Sequence, residues 1–105
     1  MTSTLHRLGE LVMDRLIRME EQRPDLADPG TATSLPSTLD VAVSLLRDGA
    51  WTEWHATLEV HREAGTWWAS GDGINAVGDS VEELAEMIVG AVDLATRADG
   101  AMIGE

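Results

Sequence analysis

The sequence predicts an α+β fold: an N-terminal amphipathic helix and a short second helix, then a three-stranded antiparallel sheet with a C-terminal helix packed on it. Apolar and polar residues alternate from Trp54 to Val60, which indicates a strand with one buried face. Ala64-Gly65 then separates this run from a second, Trp-rich one, which is typical of a hairpin. After Ser80 the apolar residues recur at helical spacing, and this indicates the last helix.

The first 24 residues are predicted to form a helical arm. Apolar residues recur with helical spacing, and Pro24 opposes continuation of the helix. The stripe comprises Leu5, Leu8, Val12, Leu16 and Met19. It can pack on the domain, pair with its twin in a homodimer, or be held by a partner. A homodimer is expected from this stripe and from an outward Trp68.

Residues 25–36 are predicted to be a linker, because Pro, Gly, Thr and Ser dominate the stretch and offer little to bury. A second helix is predicted from Thr38 to Asp48, since Ser37 precedes an acid by three residues and Gly49 follows the apolar run. The single folded domain is therefore expected to span residues 37–100, with a short tail over residues 101–105.

The hairpin register decides which Trp faces the core. A two-residue loop at Ala64-Gly65 pairs Arg62 with Trp67 and His61 with Trp68. Trp67 then faces the core, and Trp68 lies on the opposite face with His61, Glu59 and His55. A loop longer by one residue would exchange the two Trp side chains. An outward Trp68 can be covered by the first helix, covered by a second subunit, or left as a recognition patch.

The chain is acidic, with a net charge of −12, and the excess of acids follows Arg23. Such a surface repels phosphate backbones, so it argues against nucleic-acid binding and fits either a basic protein partner or a purely solubilising role. Cys is absent, which fits a reducing cytoplasm, and no apolar run approaches the length of a membrane span. The cationic side chains are all Arg, which is typical of GC-rich coding in a high-GC bacterium or its phage.

The sequence predicts no catalytic residue, no cofactor and no metal. His55 and His61 on one extended strand are about 20 Å apart, so they cannot share a metal ion. Glu82 and Glu83 fall in the first turn of the last helix, where solvated acids are common. Gly71-Asp72-Gly73 lacks the following Lys of a phosphate loop. The chain is therefore not expected to be an enzyme.

Several short runs in the second half of the chain resemble the partial RNase-H-like domain of HicB-type antitoxins. They are residues 57–60, Gly65-Thr66-Trp67-Trp68-Ala69, the Gly78-to-Leu84 stretch and an Ala-rich helix. The resemblance implies a hairpin, a third strand, a "Gly-acid-Ser-x-Glu-Glu" helix start, and toxin binding. Family members usually carry this unit near the N-terminus, often followed by a DNA-binding segment, whereas about fifty residues precede it here.

We therefore hypothesise a non-enzymatic acidic protein that binds and neutralises a basic protein partner, like an antitoxin, without contacting nucleic acid or membrane. Trp68 is the expected apolar anchor, with His61 and Glu59 beside it. Glu82 and Glu83 are expected to steer the basic partner. The alternatives are a phage-encoded inhibitor of a host nucleic-acid enzyme, of the anti-CRISPR or DNA-mimic type, and a small structural adaptor held by its first helix.

Overall fold

A computed structural model of the chain describes residues 2–34 and 36–103. Two helices flank five strands in the order α-β-β-β-β-β-α. The elements are α1 (Thr2–Gln22), β1 (Leu26–Ser34), β2 (Thr38–Arg47), β3 (Ala50–Glu63), β4 (Thr66–Gly71), β5 (Ile74–Gly78) and α2 (Val81–Ile103). The strands form one antiparallel sheet in the order β1-β2-β3-β4-β5, so each strand pairs with its neighbours in sequence.

Three two-residue turns connect β2 to β5. Both residues of each turn have positive φ, as a type I′ turn requires, and this turn matches the right-handed twist of paired strands. The turns are Asp48-Gly49 (φ 51° and 78°), Ala64-Gly65 (52° and 83°) and Asp72-Gly73 (51° and 83°). Gly and Asp adopt this conformation more readily than other residues, so the turns fix where each strand ends.

Both helices cover the same face of the sheet, with α1 against β1 and α2 against β5 and β4. Arg7 pairs with Glu82, and Arg15 lies 3.8 Å from Glu86. Because residue numbers rise together in these pairs, the two helices run parallel. Between helices and sheet lies a single apolar core, whose largest fully buried side chains are Leu8, Leu16, Leu39, Leu45, Leu58, Leu84 and Ile88.

The carboxyl end of α1 is attached to α2 by Arg23, whose side chain is only 5% exposed. Its guanidinium donates two hydrogen bonds to the Asp25 carboxylate, at 3.2 and 2.8 Å, one to Asp93 at 3.0 Å and one to Thr96 Oγ1 at 2.7 Å. A buried cation is tolerated only when its donors are satisfied in this way. The pKa of Asp25 is lowered, chiefly by the hydrogen bond from Arg23.

The predicted three-stranded sheet is wrong, because the sheet has five strands. The segment predicted as a helix from Thr38 to Asp48 is β2 and its turn. Its buried residues are Leu39, Val41, Val43 and Leu45, which alternate along a strand. The helical reading counted Ala42 and Leu46 as part of an apolar stripe, whereas both lie on the opposite face. Val41 and Val43 are β-branched and favour the extended form.

The predicted linker is also wrong, since Leu26–Ser34 forms the edge strand β1. Its register with β2 shifts between Ala27 and Gly30, where Asp28 has φ 51° and Pro29 needs no ladder hydrogen bond. Leu35, within the predicted linker, lies outside the described residues. An edge strand of small polar residues buries little, so it carries almost no apolar signal.

Two predicted boundaries change accordingly. The N-terminal segment is not a separate arm: the side chains of Leu5, Leu8, Val12 and Leu16 are buried in the common core. Helix α2 continues to Ile103, into the predicted tail, and residues 104–105 lie outside the described part of the chain. The predicted β-β-β-α order is present as β3, β4, β5 and α2, extended at its amino end by β1 and β2.

Candidate functional site

The sheet face opposite the helices is covered by no other element among the described residues, and we call it the open face. Residues of β2 to β5 alternate between the two faces, and none on the open face is buried. The open face comprises Thr38, Asp40, Ala42, Ser44, Leu46, Trp51, Glu53, His55, Thr57, Glu59, His61, Glu63, Thr66, Trp68, Ser70, Asn75 and Val77.

The predicted hairpin register is confirmed. Glu63 pairs with Thr66, Arg62 with Trp67 and His61 with Trp68, because the loop at Ala64-Gly65 has two residues. Trp68 therefore lies on the open face, 41% exposed. Its ring stacks on that of His61, with centroids 6.1 Å apart and an interplanar angle of 1°.

Trp68 occupies the middle of a three-strand row on the open face. Across β5 its partner is Val77, which is itself 40% exposed. Trp68 thus has His61, on which its ring stacks, as its cross-strand neighbour in β3 and Val77 as its cross-strand neighbour in β5, and cross-strand pairs of this kind stabilise a sheet. The row is an apolar patch held in a fixed orientation by a rigid sheet.

Trp67, in contrast, lies on the helix side and is partly buried against the core. The Arg62 guanidinium carbon lies 5.5 Å from the Trp67 ring centroid, a cation–π distance. The two adjacent Trp residues therefore have different surroundings: Trp67 closes the edge of the core, and Trp68 is presented to solvent.

A polar cluster occupies the centre of the open face, on β2 and β3. The Thr57 hydroxyl donates to Asp40 Oδ1 at 2.6 Å, and His55 Nε2 lies 3.4 Å from that hydroxyl and 3.6 Å from Asp40. The Thr57 hydroxyl proton is thus directed to the Asp40 carboxylate. The cluster orders His55 and Asp40 and offers an acceptor to an external donor.

The open face is acidic. It carries the carboxylates of Asp40, Glu53, Glu59 and Glu63, and none of its residues is Arg or Lys. Glu59 accepts a hydrogen bond of 2.7 Å from the Thr38 hydroxyl, and this bond fixes its side chain across the β2–β3 pair. Carboxylates spread around an aromatic patch form a surface complementary to cations.

The sequence reasoning missed a second apolar corner of the open face, at the β2–β3 turn. Trp51 is 53% exposed and pairs across the strands with Leu46, which is 39% exposed. This pair was not predicted, because β2 was predicted as a helix and the pairing of Trp51 with Leu46 depends on β2. The available signal was the Asp48-Gly49 dipeptide between two apolar runs, which favours a type I′ hairpin.

Glu82 and Glu83, predicted to steer the basic partner, lie in the first turn of α2, as the sequence predicts, and so in the helix layer and not on the open face. The pKa of Glu82 is lowered, mainly by its hydrogen bond with Arg7. Glu83 belongs to the helix cap: its carboxylate accepts from Asp79 N–H at 2.6 Å, and its own N–H donates to Ser80 Oγ at 3.1 Å. Trp68, His61 and Glu59 share one face, and the two helix acids have local roles.

Within the described residues, no group of three or more His, Asp or Glu side chains is placed to hold a metal ion. His61 is engaged with Trp68, and His55 with the Asp40–Thr57 pair. A groove of about 500 Å³ lies between α1 and β1, and one of about 420 Å³ is lined by residues that include Trp67 and His61; Trp68 lines neither. The open face offers hydrogen-bond acceptors and apolar contact area, which are the components of a binding surface.

No family model, no curated protein and no solved structure matches this chain. Neither α1 nor the described part of α2 is apolar over a length that could cross a bilayer.

Proposed function

We propose that this chain is a cytoplasmic, non-enzymatic binding protein that docks its open face on a basic protein and neutralises it, in the manner of an antitoxin. The observation that carries the proposal is Trp68, which stacks on His61 and pairs across β5 with the exposed Val77 on an uncovered sheet face. The resemblance to HicB-type antitoxins points in the same direction, and the absence of Cys fits a reducing compartment.

Trp68 has the properties of an interface anchor. Its ring is large, partly exposed and fixed by its stack on His61, so docking requires little loss of side-chain freedom. Aromatic anchors at the centre of an interface commonly account for about 2 kcal/mol or more of binding free energy on truncation. The dissociation rate of the complex should therefore depend on Trp68.

The carboxylates around this anchor would guide the partner's approach. Asp40, Glu53, Glu59 and Glu63 act at a distance on a basic surface, and their effect is screened beyond about 10 Å at roughly 0.1 M salt. Salt should therefore slow association more than it speeds dissociation. Glu59 and Glu63 are the acids that flank the anchor in the sheet, since they pair with Ser70 and Thr66, each two residues from Trp68.

The test compares Trp68→Ala with a matched control, Met87→Ala. Met87 is 50% exposed on α2, in the helix layer, so its truncation removes a similar exposed apolar contact from the other side of the molecule. The wild type, immobilised as bait in extract of its native host, should capture a basic protein that is identified by mass spectrometry and purified. Surface-based kinetics with that protein should show about 30-fold faster dissociation for Trp68→Ala and an unchanged rate for Met87→Ala.

A complex that dissociates equally fast from wild type and from folded Trp68→Ala contradicts the proposal. If Glu53→Gln and Glu59→Gln together abolish binding while Trp68→Ala has no effect, the carboxylates act as phosphate mimics. The chain is then better described as an inhibitor of a nucleic-acid enzyme.

A further inference from the structure

One strand extends well beyond its neighbours on one side. β3 has 14 residues, whereas β4 has 6 and β5 has 5. β3 pairs with β2 along Ala50 to Glu59, but with β4 only from Glu59 to Glu63. The chain turns back at Asp72-Gly73, so the amino-terminal part of β3 has a neighbouring strand on one side only.

The direction of the backbone groups in this overhang follows from two hydrogen bonds. Val60 N–H points towards the β2 side, where it donates to Ser37 O at 2.8 Å. Thr57 N–H points the opposite way and is satisfied by the Asp72 carboxylate at 2.7 Å. Alternation along the strand therefore directs the N–H and C=O groups of Trp51, Glu53 and His55 away from β2. We call this stretch the free edge.

The three exposed strand edges differ in their protection. The outer edge of β1 is interrupted by a register shift at Asp28 and Pro29, and β5 is short and ends at Gly78. Both features hinder pairing with another chain. The free edge has neither Pro nor a register shift, and no described residue outside β2 hydrogen-bonds its backbone groups. It is therefore the edge at which the described sheet is open to another strand.

The side chains of the free edge select among possible occupants. Trp51, Glu53 and His55 all point to the open face, with the acid in the centre. A second copy that pairs antiparallel about this centre would place its own Glu53 opposite Glu53, which is unfavourable. A strand with Lys or Arg at that position would instead gain an ion pair and contact with the Trp51 ring.

We propose that the free edge binds an extended basic segment of the partner as an added antiparallel strand, with a cationic side chain opposite Glu53. This inference rests on the proposed function, because it specifies how a basic partner is held. Main-chain hydrogen bonds supply the register, and Trp51 and His55 contact the alternate side chains on the open face. The added strand extends the surface that carries Trp68.

The probe is a synthetic peptide of about seven residues with blocked ends, in which Lys and Val alternate. Calorimetric titration should show saturable one-to-one binding to the wild-type protein. Methylation of alternate peptide N–H groups should abolish binding, because it removes main-chain hydrogen-bond donors of the peptide and leaves the charge of the peptide unchanged. Glu53→Lys should raise the dissociation constant at least about tenfold, whereas Glu21→Lys, an equal charge change at an exposed residue of α1 away from the open face, should change it by less than about threefold.

The inference is overturned if the methylated peptide binds as tightly as its parent, since attraction is then electrostatic without strand pairing. It is also overturned if light scattering shows a dimer that Glu53→Pro converts to a folded monomer, since a second copy then occupies the edge. Trp68→Ala serves to separate the two proposals. If the wild type does not bind the peptide but still captures its partner in a Trp68-dependent way, the added strand alone is refuted. If the wild type binds the peptide as expected but capture of the partner does not depend on Trp68, the anchor alone is refuted.

Discussion

The two faces of the sheet are made by neighbouring residues of the same strands, and yet they have opposite properties. Leu39 and Leu58 are fully buried under the helices, while Asp40, Thr57 and Glu59 beside them in sequence form a polar surface. A strand achieves this because successive side chains point to opposite faces. Residues on the helix side therefore determine the stability of the fold, and their neighbours on the open face are available for recognition. A substitution on one face should change one of these properties and leave the other nearly unchanged.

The two faces also differ in how their polar side chains satisfy their hydrogen bonds. On the helix side the buried Arg23 has four hydrogen bonds to three residues, and within the described residues no buried side-chain polar atom lacks a partner. On the open face His55 and Glu53 are exposed, so water can satisfy them. A polar residue on the helix side must be fully partnered, whereas one on the open face is available to an external molecule.

The largest contrast is expected between Leu58→Ala and Glu59→Ala. Leu58 is fully buried and contacts the core, so its truncation should lower the free energy of unfolding by about 2 to 5 kcal/mol. Glu59 is the next residue and is exposed, so its truncation should cost less than about 0.5 kcal/mol. Urea denaturation followed by Trp fluorescence measures both values. Similar losses for the two variants would mean that the open face is covered in solution.

A smaller effect, with a pH signature, is expected for Arg23→Ala. Hydrogen bonding to Arg23 lowers the pKa of Asp25, so the folded state binds this proton less readily than the unfolded chain. The resulting stabilisation is present above the ordinary Asp pKa, about 3.9, and is lost as the pH falls through the lowered folded value. The variant should be less stable than wild type by about 1.5 to 3 kcal/mol at neutral pH, the usual contribution of hydrogen bonds to charged groups.

Denaturation titrations from about pH 6 down to about pH 2 distinguish this ion-pair effect from simple loss of packing. The stability difference between wild type and Arg23→Ala should narrow as Asp25 becomes protonated. A difference that stays constant with pH would assign the role of Arg23 to packing alone. Arg18→Ala is the control, since Arg18 pairs with Asp14 on the exposed side of α1.

The smallest predicted effect lies at a turn, outside both faces. Ala64 has φ 52°, a conformation that costs residues with a Cβ about 1 to 2 kcal/mol and that Asn tolerates better. Ala64→Asn should therefore raise the free energy of unfolding by about 0.5 to 1 kcal/mol, measured by thermal or urea denaturation. Ala50→Asn, at an exposed strand residue without positive φ, should give no gain. A loss at position 64 would contradict the turn geometry.

The sequence predicted β3, β4, β5 and α2 because each has a strong local signal. Alternation runs through β3, Ala64-Gly65 fixes the hairpin, and Ser80 with Glu83 caps α2. β2 was mistaken for a helix because Ala42, being small and apolar, fits either period. β1 was missed because an edge strand of Thr, Ala and Ser is defined by its partner strand and not by burial of its own side chains.

The candidate site was predictable to the same extent as these elements. Trp68, His61 and Glu59 were placed together because the hairpin register determines their face. Glu53 and Trp51 were missed because their surroundings depend on β2. Glu82 and Glu83 were grouped with Trp68 on charge alone. Sequence shows that these acids begin a helix, but the position of that helix relative to the sheet is a long-range property.

The parallel packing of α1 on α2 joins two helices that are synthesised at different times, because five strands separate them in the chain. On the ribosome α1 is made before the strands, and α2 is made after them; Glu82 of α2 pairs with Arg7, and its Asp93 and Thr96 bind Arg23, just beyond α1. The strands between them are joined by short local turns and can pair as they emerge, which is the kind of topology that forms rapidly. α1 therefore lacks its contacts with α2 until nearly the whole described chain has left the exit tunnel. During translation this amphipathic helix is the segment that a nascent-chain chaperone has the longest time to bind.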